Sequence, residues 1–238
     1  MSNKHDVSAV LRKECVLDTL ETTDDYGNCK HSKVLPLIKE ISIEKDIFFS
    51  SLLDVGCGRN PLATWLSRFE RGVEPYAYCA IEIDEDIRAE LDARGVRSAC
   101  SFDEIKDQFD LVIATEVLEH IVPSESVDFL KTMGNHSRKM VALTVPNYEH
   151  WPTMGLSKEA RECRWWPDFP PVNPTSTAPH DHKQYTTPAL VSSLMKKAFS
   201  KDQWDVKVVR AWPWRIEDVD RHREYVQYFK VFAIATRR

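Results

Sequence analysis

The most constraining stretch of the chain is residues 51–58, SLLDVGCG. A short apolar run, Ser51-Leu52-Leu53-Asp54-Val55, empties into Gly56-Cys57-Gly58. This predicts a buried strand followed by a tight turn. Glycines there let the backbone come close to a ligand at the carboxyl end of the strand. Asn60 as cap and Pro61 at the first helical position predict a helix through Leu66. The alternation then repeats. Strands are predicted at Ala77–Ile83, Val96–Cys100, Phe109–Ala114 and Lys139–Val145, the last stopped by Pro146-Asn147. Helices are predicted at Asp84–Ala93, whose first turn is acidic as the macrodipole favours, and at Glu116–Ile121, Ser124–Met133 and Pro188–Phe199. Strands alternating with helices imply parallel βαβ units in an α/β, doubly wound sheet. Asp205–Val209 and Val226–Thr236 are β-rich and predict an antiparallel pair closing one sheet edge.

This divides the chain into an N-terminal helical or lid segment, 1–50, and a main domain, 51–238. Residues 33–49 carry apolar positions at helical spacing, with Pro36 in the first turn. Seven of the 13 prolines fall between positions 146 and 179, together with Trp151, Trp165 and Trp166. A long Pro/Trp-rich loop in a compact domain reads as a functional lid over 146–185, or else as an aromatic patch covering the core. The composition, 42% hydrophobic and 29% charged, belongs to a globular protein. The net charge of −5 argues against a bulk electrostatic hold on duplex nucleic acid but leaves room for a local grip on an RNA end. No apolar run approaches ~18 residues, so no membrane partner is expected. The polar start, MSNKHDVSAVLRKE, lacks the apolar core of a signal peptide, which points to a cytoplasmic protein. None of Cys15, Cys29, Cys57, Cys79, Cys100 and Cys163 forms a Cys-x-x-Cys pair, so they read as reduced thiols rather than zinc ligands.

The run Gly56-Cys57-Gly58-Arg59-Asn60-Pro61 lacks the third glycine of a dinucleotide fingerprint, which disfavours a pyrophosphate cofactor. Glu82 ends the second strand 24 residues after Gly58, where a carboxylate holds the two ribose hydroxyls of an adenosine. The set LLDVGCG, AIEID and FDLVIATEVLEHI resembles the Rossmann-like class I S-adenosylmethionine-dependent methyltransferases over roughly residues 50–145. That resemblance implies a mostly parallel seven-stranded sheet with an antiparallel last pair, and S-adenosyl-L-methionine as cofactor. It implies that Asp54, Gly56 and Gly58 line the methionine and ribose side and that Glu82 binds the ribose. Ser101 and Phe102 would then lie near the adenine, while Thr115 and Glu116 flank the sulfonium. The third strand matches least, because Cys100-Ser101 stands where the family often has an acidic residue.

Glu116, Glu119 and His120 stand at i, i+3 and i+4, one face of a helix. Two carboxylates and an imidazole suit Mg²⁺ or Mn²⁺. The plainer alternative is that His120 caps a helix and Glu119 pairs with a base. A second string, His180-Asp181-His182-Lys183, closes the lid. With TVPNYE (144–149) and EVLEH it resembles the small-RNA 3′-terminal 2′-O-methyltransferase branch. There the resemblance implies a metal held by Glu116, Glu119, His120 and His182, with His180 as the fallback. The chain departs from that branch in having Ala178-Pro179 where the branch has an arginine. Gln184-Tyr185-Thr186 also replaces its aromatic-acidic-Trp run.

The methyl group passes in line from an activated sulfonium, so positioning supplies most of the acceleration. A hydroxyl acceptor must also lose a proton, for which His120 or His182 is the candidate base. The catalytic candidates are therefore His120, His182 and Glu116. Trp204 reads as core, whereas Trp212 and Trp214 flank the acceptor side. Arg161, Arg164 and Lys183 are either contacts to an anionic acceptor or solvated charges. His136 and His150 have no partner pattern and read as surface residues. The expected activity is O-methylation of a small hydroxylated metabolite or glycan-like acceptor. The alternatives are metal-dependent 2′-O-methylation of an RNA 3′ end and a cofactor-binding partner protein without turnover.

Overall fold

The computed structural model describes residues 34, 37, 38, 40–59, 77–149, 172–179, 181–218 and 223–238. Asn60, Pro61, His150, Trp151, Arg161, Arg164, Trp165, Trp166 and His180 lie outside them, as does Pro36. The described chain runs through helix α1 (within 34–45), β1 (Ser51–Val55), β2 (Ala77–Ile81), α2 (Glu85–Ala93), β3 (Ser98–Ala99) and β4 (Phe109–Thr115). It continues through α3 (Ser126–Asn135), β5 (Ser137–Pro146), α4 (Pro188–Ala198), β6 (Trp204–Asp218) and β7 (Arg223–Arg237). The seven strands form one sheet in the order β3-β2-β1-β4-β5-β7-β6. All pairs are parallel except β5–β7 and β6–β7.

The apolar strands are continuous because both faces of the sheet are covered. Along β4, Leu111 and Ile113 face α1 with Leu52, Met140 and Phe232, where Val34, Leu37, Ile38 and Ile41 close the layer. Val112 and Ala114 point the other way, with Leu53, Val141 and Leu143, under α3 and α4. Successive side chains on a strand point to opposite faces, so a run with no polar interruption needs a helical layer on each side. Trp204 belongs to the core: Phe199 meets it edge-on at 5.1 Å and the Arg237 guanidinium lies 4.4 Å above its ring.

Several local expectations shift. Asp84 caps α2 rather than starting it, accepting hydrogen bonds from the Asp86 and Ile87 amides. The third strand shortens to Ser98–Ala99. The last two strands lengthen into a hairpin that pairs from Trp204↔Arg237 to Asp218↔Arg223. Pro213 is tolerated in β6 because that strand is the sheet edge. Trp212 and Trp214 fall within β6, and their side chains lie outside the described part. His136 is not a free surface residue. It caps α3, bonds the Thr132 carbonyl at 2.9 Å and stacks obliquely on Phe102 at 5.1 Å.

The largest correction concerns residues 116–121. Glu116 takes a left-handed backbone conformation, φ 58°, and cannot begin a helix. The chain instead makes one 3₁₀ turn, Leu118–His120. Its carbonyls are claimed from outside. The Gln184 side-chain amide donates to Leu118 O and Ile121 O, and the Lys183 amide donates to Glu119 O at 2.7 Å.

At the opposite end of β4, Asp110 is buried among Ser50, Arg138 and Lys139. Burial alone would raise its carboxyl, but hydrogen bonds from the Ser50 amide and hydroxyl and from both cations outweigh it, bringing it from the usual 3.8 to about 2. A carboxyl depressed in the folded state stabilises fully above its unfolded pKa, and that contribution fades as pH falls from about 4 toward 2. The shift corresponds to about 2 kcal/mol. Urea unfolding of Asp110→Asn should therefore lie about 2 kcal/mol below wild type at pH 6, with the gap closing near pH 2.

Candidate active site

The strand order reverses between β1 and β4, with β2 and β3 on one side and β5 and β7 on the other. In open α/β sheets ligands bind outside the carboxyl ends of the strands at this point. Gly56 leaves β1 at φ +66°, and a Cβ there would lie 2.5 Å from Val117 Cγ2. Only glycine allows the β1 turn and the turn after β4 to come this close. Gly58, φ +62°, donates its amide to Glu82 Oε2 at 2.8 Å, and the Asp84 amide donates to Oε1 at 3.1 Å. The Glu82 carboxylate is thus buried against the glycine turn. Asp54 lies one layer deeper, fully buried, and accepts the Tyr78 hydroxyl from β2 at 2.8 Å.

Ser101 and Phe102 succeed β3 in a 3₁₀ turn. Phe102 packs edge-on against Phe129 of α3 at 6.1 Å, so its ring is held by the core. Thr115 ends β4, and its buried hydroxyl has no hydrogen-bond partner among the described residues. Beside it, Glu116 accepts from Thr144 Oγ1 at 3.0 Å and forms an ion pair with Lys230 of β7.

The loop before α4 brings in the second half. Lys183 N to Glu119 O, Asn173 N to His182 O and Tyr148 N to Thr186 O tie it down at 2.7, 2.7 and 2.8 Å. Buried Gln184 also donates to Ser126 Oγ, and the Thr186 hydroxyl to Pro146 O. The result places Glu119, His120 and His182 so that one ligand atom of each lies within 4.8 Å of the others. The imidazoles meet edge to face at 4.8 Å. His120 Nδ1 contacts the Asp181 carbonyl at 3.2 Å, and His182 Nδ1 contacts the Tyr148 hydroxyl at 2.5 Å. Both rings are therefore anchored through Nδ1, which orients Nε2. Burial, and then the neighbouring His120, push His182 down to about 4, so it is neutral at physiological pH. Burial, together with the nearby Glu119 charge, raises the Tyr148 phenol, which stays protonated.

The structure thus brings together three of the four residues expected at a metal site. Glu116 is outside this cluster, committed to Thr144 and Lys230. Tyr148, Thr144, Gln184 and Lys230 were not assigned site roles from the sequence. Tyr148 lies inside the TVPNYE string, whereas Lys230 sits in an ordinary strand with no local signal.

A family model described as "Methyltransferase domain" matches residues 28–198. The chain belongs to the methyltransferase-domain family. Solved structures similar to this methyltransferase include an S-adenosylmethionine-dependent methyltransferase from Clostridium acetobutylicum, at 13% identity and TM-score 0.55, covering 96% of this chain and 98% of that one. The plantazolicin methyltransferase BamL, in complex with a triazolic desmethylPZN analogue and SAH, aligns at 10% identity and TM-score 0.60 over 98% of this chain and 91% of its own. The small RNA methyltransferase HEN1 aligns at 18% identity and TM-score 0.55 over 85% of this chain and 25% of its own. The fold is that of S-adenosylmethionine-dependent class I methyltransferases, with an antiparallel last strand pair. No curated protein matches. No helix among the described residues is long and apolar enough to cross a membrane.

Proposed function

We propose that this methyltransferase uses S-adenosylmethionine to methylate a hydroxyl oxygen presented at Glu119, His120 and His182. The observation that carries the proposal is the convergence of one carboxylate and two anchored imidazoles beside the switch-point crevice. The crevice suits an adenosine-bearing cofactor. Gly56 and Gly58 leave the backbone bare, Glu82 beside them would take the ribose diol, and Thr115 offers a buried hydroxyl with no partner among the described residues. When bound, the cofactor supplies the methyl group as an already activated sulfonium.

The three-residue cluster also suits a divalent ion. One ligand atom from each of the three lies within 4.8 Å of the others, near enough to converge on one ion. Two nitrogens and one oxygen favour Mn²⁺ over Mg²⁺. Such an ion would lower the acceptor hydroxyl's pKa. In the protein's own part of the reaction, Tyr148 and the Asp181 carbonyl fix the two rings and the Lys183 amide fixes the Glu119 backbone. Where no ion is held, neutral His182 would accept the proton that the hydroxyl gives up; with an ion held, its remaining ring nitrogen would be a ligand instead and the lowered hydroxyl pKa would take over that role.

The acceptor class we favour is a small hydroxylated metabolite or glycan-like molecule, in keeping with the net charge of −5. One observation favours a second reading, 2′-O-methylation at an RNA 3′ end. The three converging residues are positions at which the chain resembles the small-RNA branch. Labelled methyl transfer with Mn²⁺ or EDTA separates these readings. The substrates are a nuclease-treated small-molecule extract, an RNA with a free 3′ end, and that RNA with its terminal ribose oxidised. We expect EDTA-sensitive label in the small-molecule fraction. Label confined to the free-ended RNA would move the assignment to the second reading. Cofactor binding without label on any substrate would indicate a binding partner without turnover.

A further inference from the structure

Glu116 sits one residue past β4, three positions before Glu119, yet its carboxylate is turned to a different partner. Its Oε1 accepts from Thr144 Oγ1 and its Oε2 pairs with Lys230 Nζ. Thr144 lies beside Thr115 in the β4–β5 register, and Lys230 lies opposite Pro146 across β5–β7. The ion pair therefore spans the tips of three adjacent strands at the edge of the cluster. It is largely sheltered, with Glu116 15% and Lys230 26% exposed, so solvent screens it less than a surface pair.

We propose that Lys230 determines the coordination of the metal site by holding Glu116 out of it, leaving a ligand set of two imidazoles and one carboxylate. This rests on the metal reading of the Glu119–His120–His182 cluster. A second carboxylate would make the set harder and more anionic, which suits Mg²⁺, whereas the set with Glu116 withdrawn suits Mn²⁺. Lys230 acts through Glu116 and is a positioning residue.

The test is calorimetric titration of Mn²⁺ and Mg²⁺ into the full chain saturated with S-adenosylhomocysteine. The proteins are wild type, Lys230→Met, Lys230→Arg, Glu116→Gln and His182→Ala. Wild type should bind Mn²⁺ well ahead of Mg²⁺. Lys230→Met should tighten Mg²⁺ by about tenfold, since ligand charge count sets the affinity of hard cations. Lys230→Arg should restore the wild-type order, and Glu116→Gln should keep wild-type Mn²⁺ affinity within about twofold. A merely structural lysine would change the melting temperature and leave the Mg²⁺/Mn²⁺ ratio alone. Equal ratios in wild type and Lys230→Met would overturn the proposal. So would loss of Mn²⁺ binding in Glu116→Gln to the extent seen in His182→Ala. If Lys230→Met fails to fold, the arginine and Glu116→Gln variants still decide. No Mn²⁺ binding by a wild-type protein that binds S-adenosylhomocysteine would remove the metal site itself, and this assignment with it.

Discussion

His182→Ala should lower methyl transfer by about 10²–10⁴-fold while leaving S-adenosylhomocysteine affinity within about twofold. The imidazole is buried and neutral, and it lies within reach of both Glu119 and His120. Alanine removes a candidate base and a candidate ligand together, and no nearby side chain replaces both. Its backbone carbonyl still receives the Asn173 amide, so the loop keeps its anchor. Tyr148→Phe should give a milder loss, about 10–100-fold, because it removes only the group that orients the ring. The measurement is initial-rate methyl transfer to the acceptor fraction labelled by wild type, with calorimetry for S-adenosylhomocysteine. Full activity in His182→Ala would sink the assignment of the reacting hydroxyl to this cluster.

Glu82→Ala should weaken S-adenosylhomocysteine binding by about 10–100-fold. The variant loses one or two hydrogen bonds to a carboxylate, each worth about 1.5–3 kcal/mol and partly replaced by water. The carboxylate also braces the Gly58 and Asp84 amides, so part of any loss reflects a loosened turn. An analogue lacking the ribose 2′-hydroxyl isolates the direct part. It should bind wild type more weakly than the parent and bind Glu82→Ala no more weakly than the parent does. Unchanged parent affinity in Glu82→Ala would show that the ribose lies elsewhere.

The contrast between these two sites explains how much was legible in the sequence. The cofactor half is local: a strand, its terminal glycines and an acidic residue on the next strand each leave a signature in a few consecutive residues. The two glycines do have positive φ, and Glu82 does meet Gly58. The chemical half is assembled from distant segments. Glu119 and His120 come from the turn after β4, His182 from the loop before α4, and Tyr148 from the end of β5. Helical spacing would put Glu116 on one face with Glu119 and His120, but the chain makes a 3₁₀ turn there and the Glu116 carboxylate pairs with Thr144 and Lys230. The left-handed backbone at Glu116 breaks the periodicity on which that inference depended. His136 was missed for a similar reason, since its partners are the Thr132 and Ile105 carbonyls and the Phe102 ring, which no residue pattern announces.

The sequence alone determined the layer architecture, because apolar runs of strand length between helices can be buried only in a parallel sheet covered on both faces. It also determined where the two glycines and Glu82 stand, because each is a single residue at a strand end. Only the tertiary structure decided which carboxylate joins the two histidines. Glu116 and Glu119 are equivalent by residue type. Glu116 is instead paired with Lys230, 114 positions away in the chain, which the antiparallel last strand carries to the tips of β4 and β5. A charge placed through sheet register has no trace in local spacing.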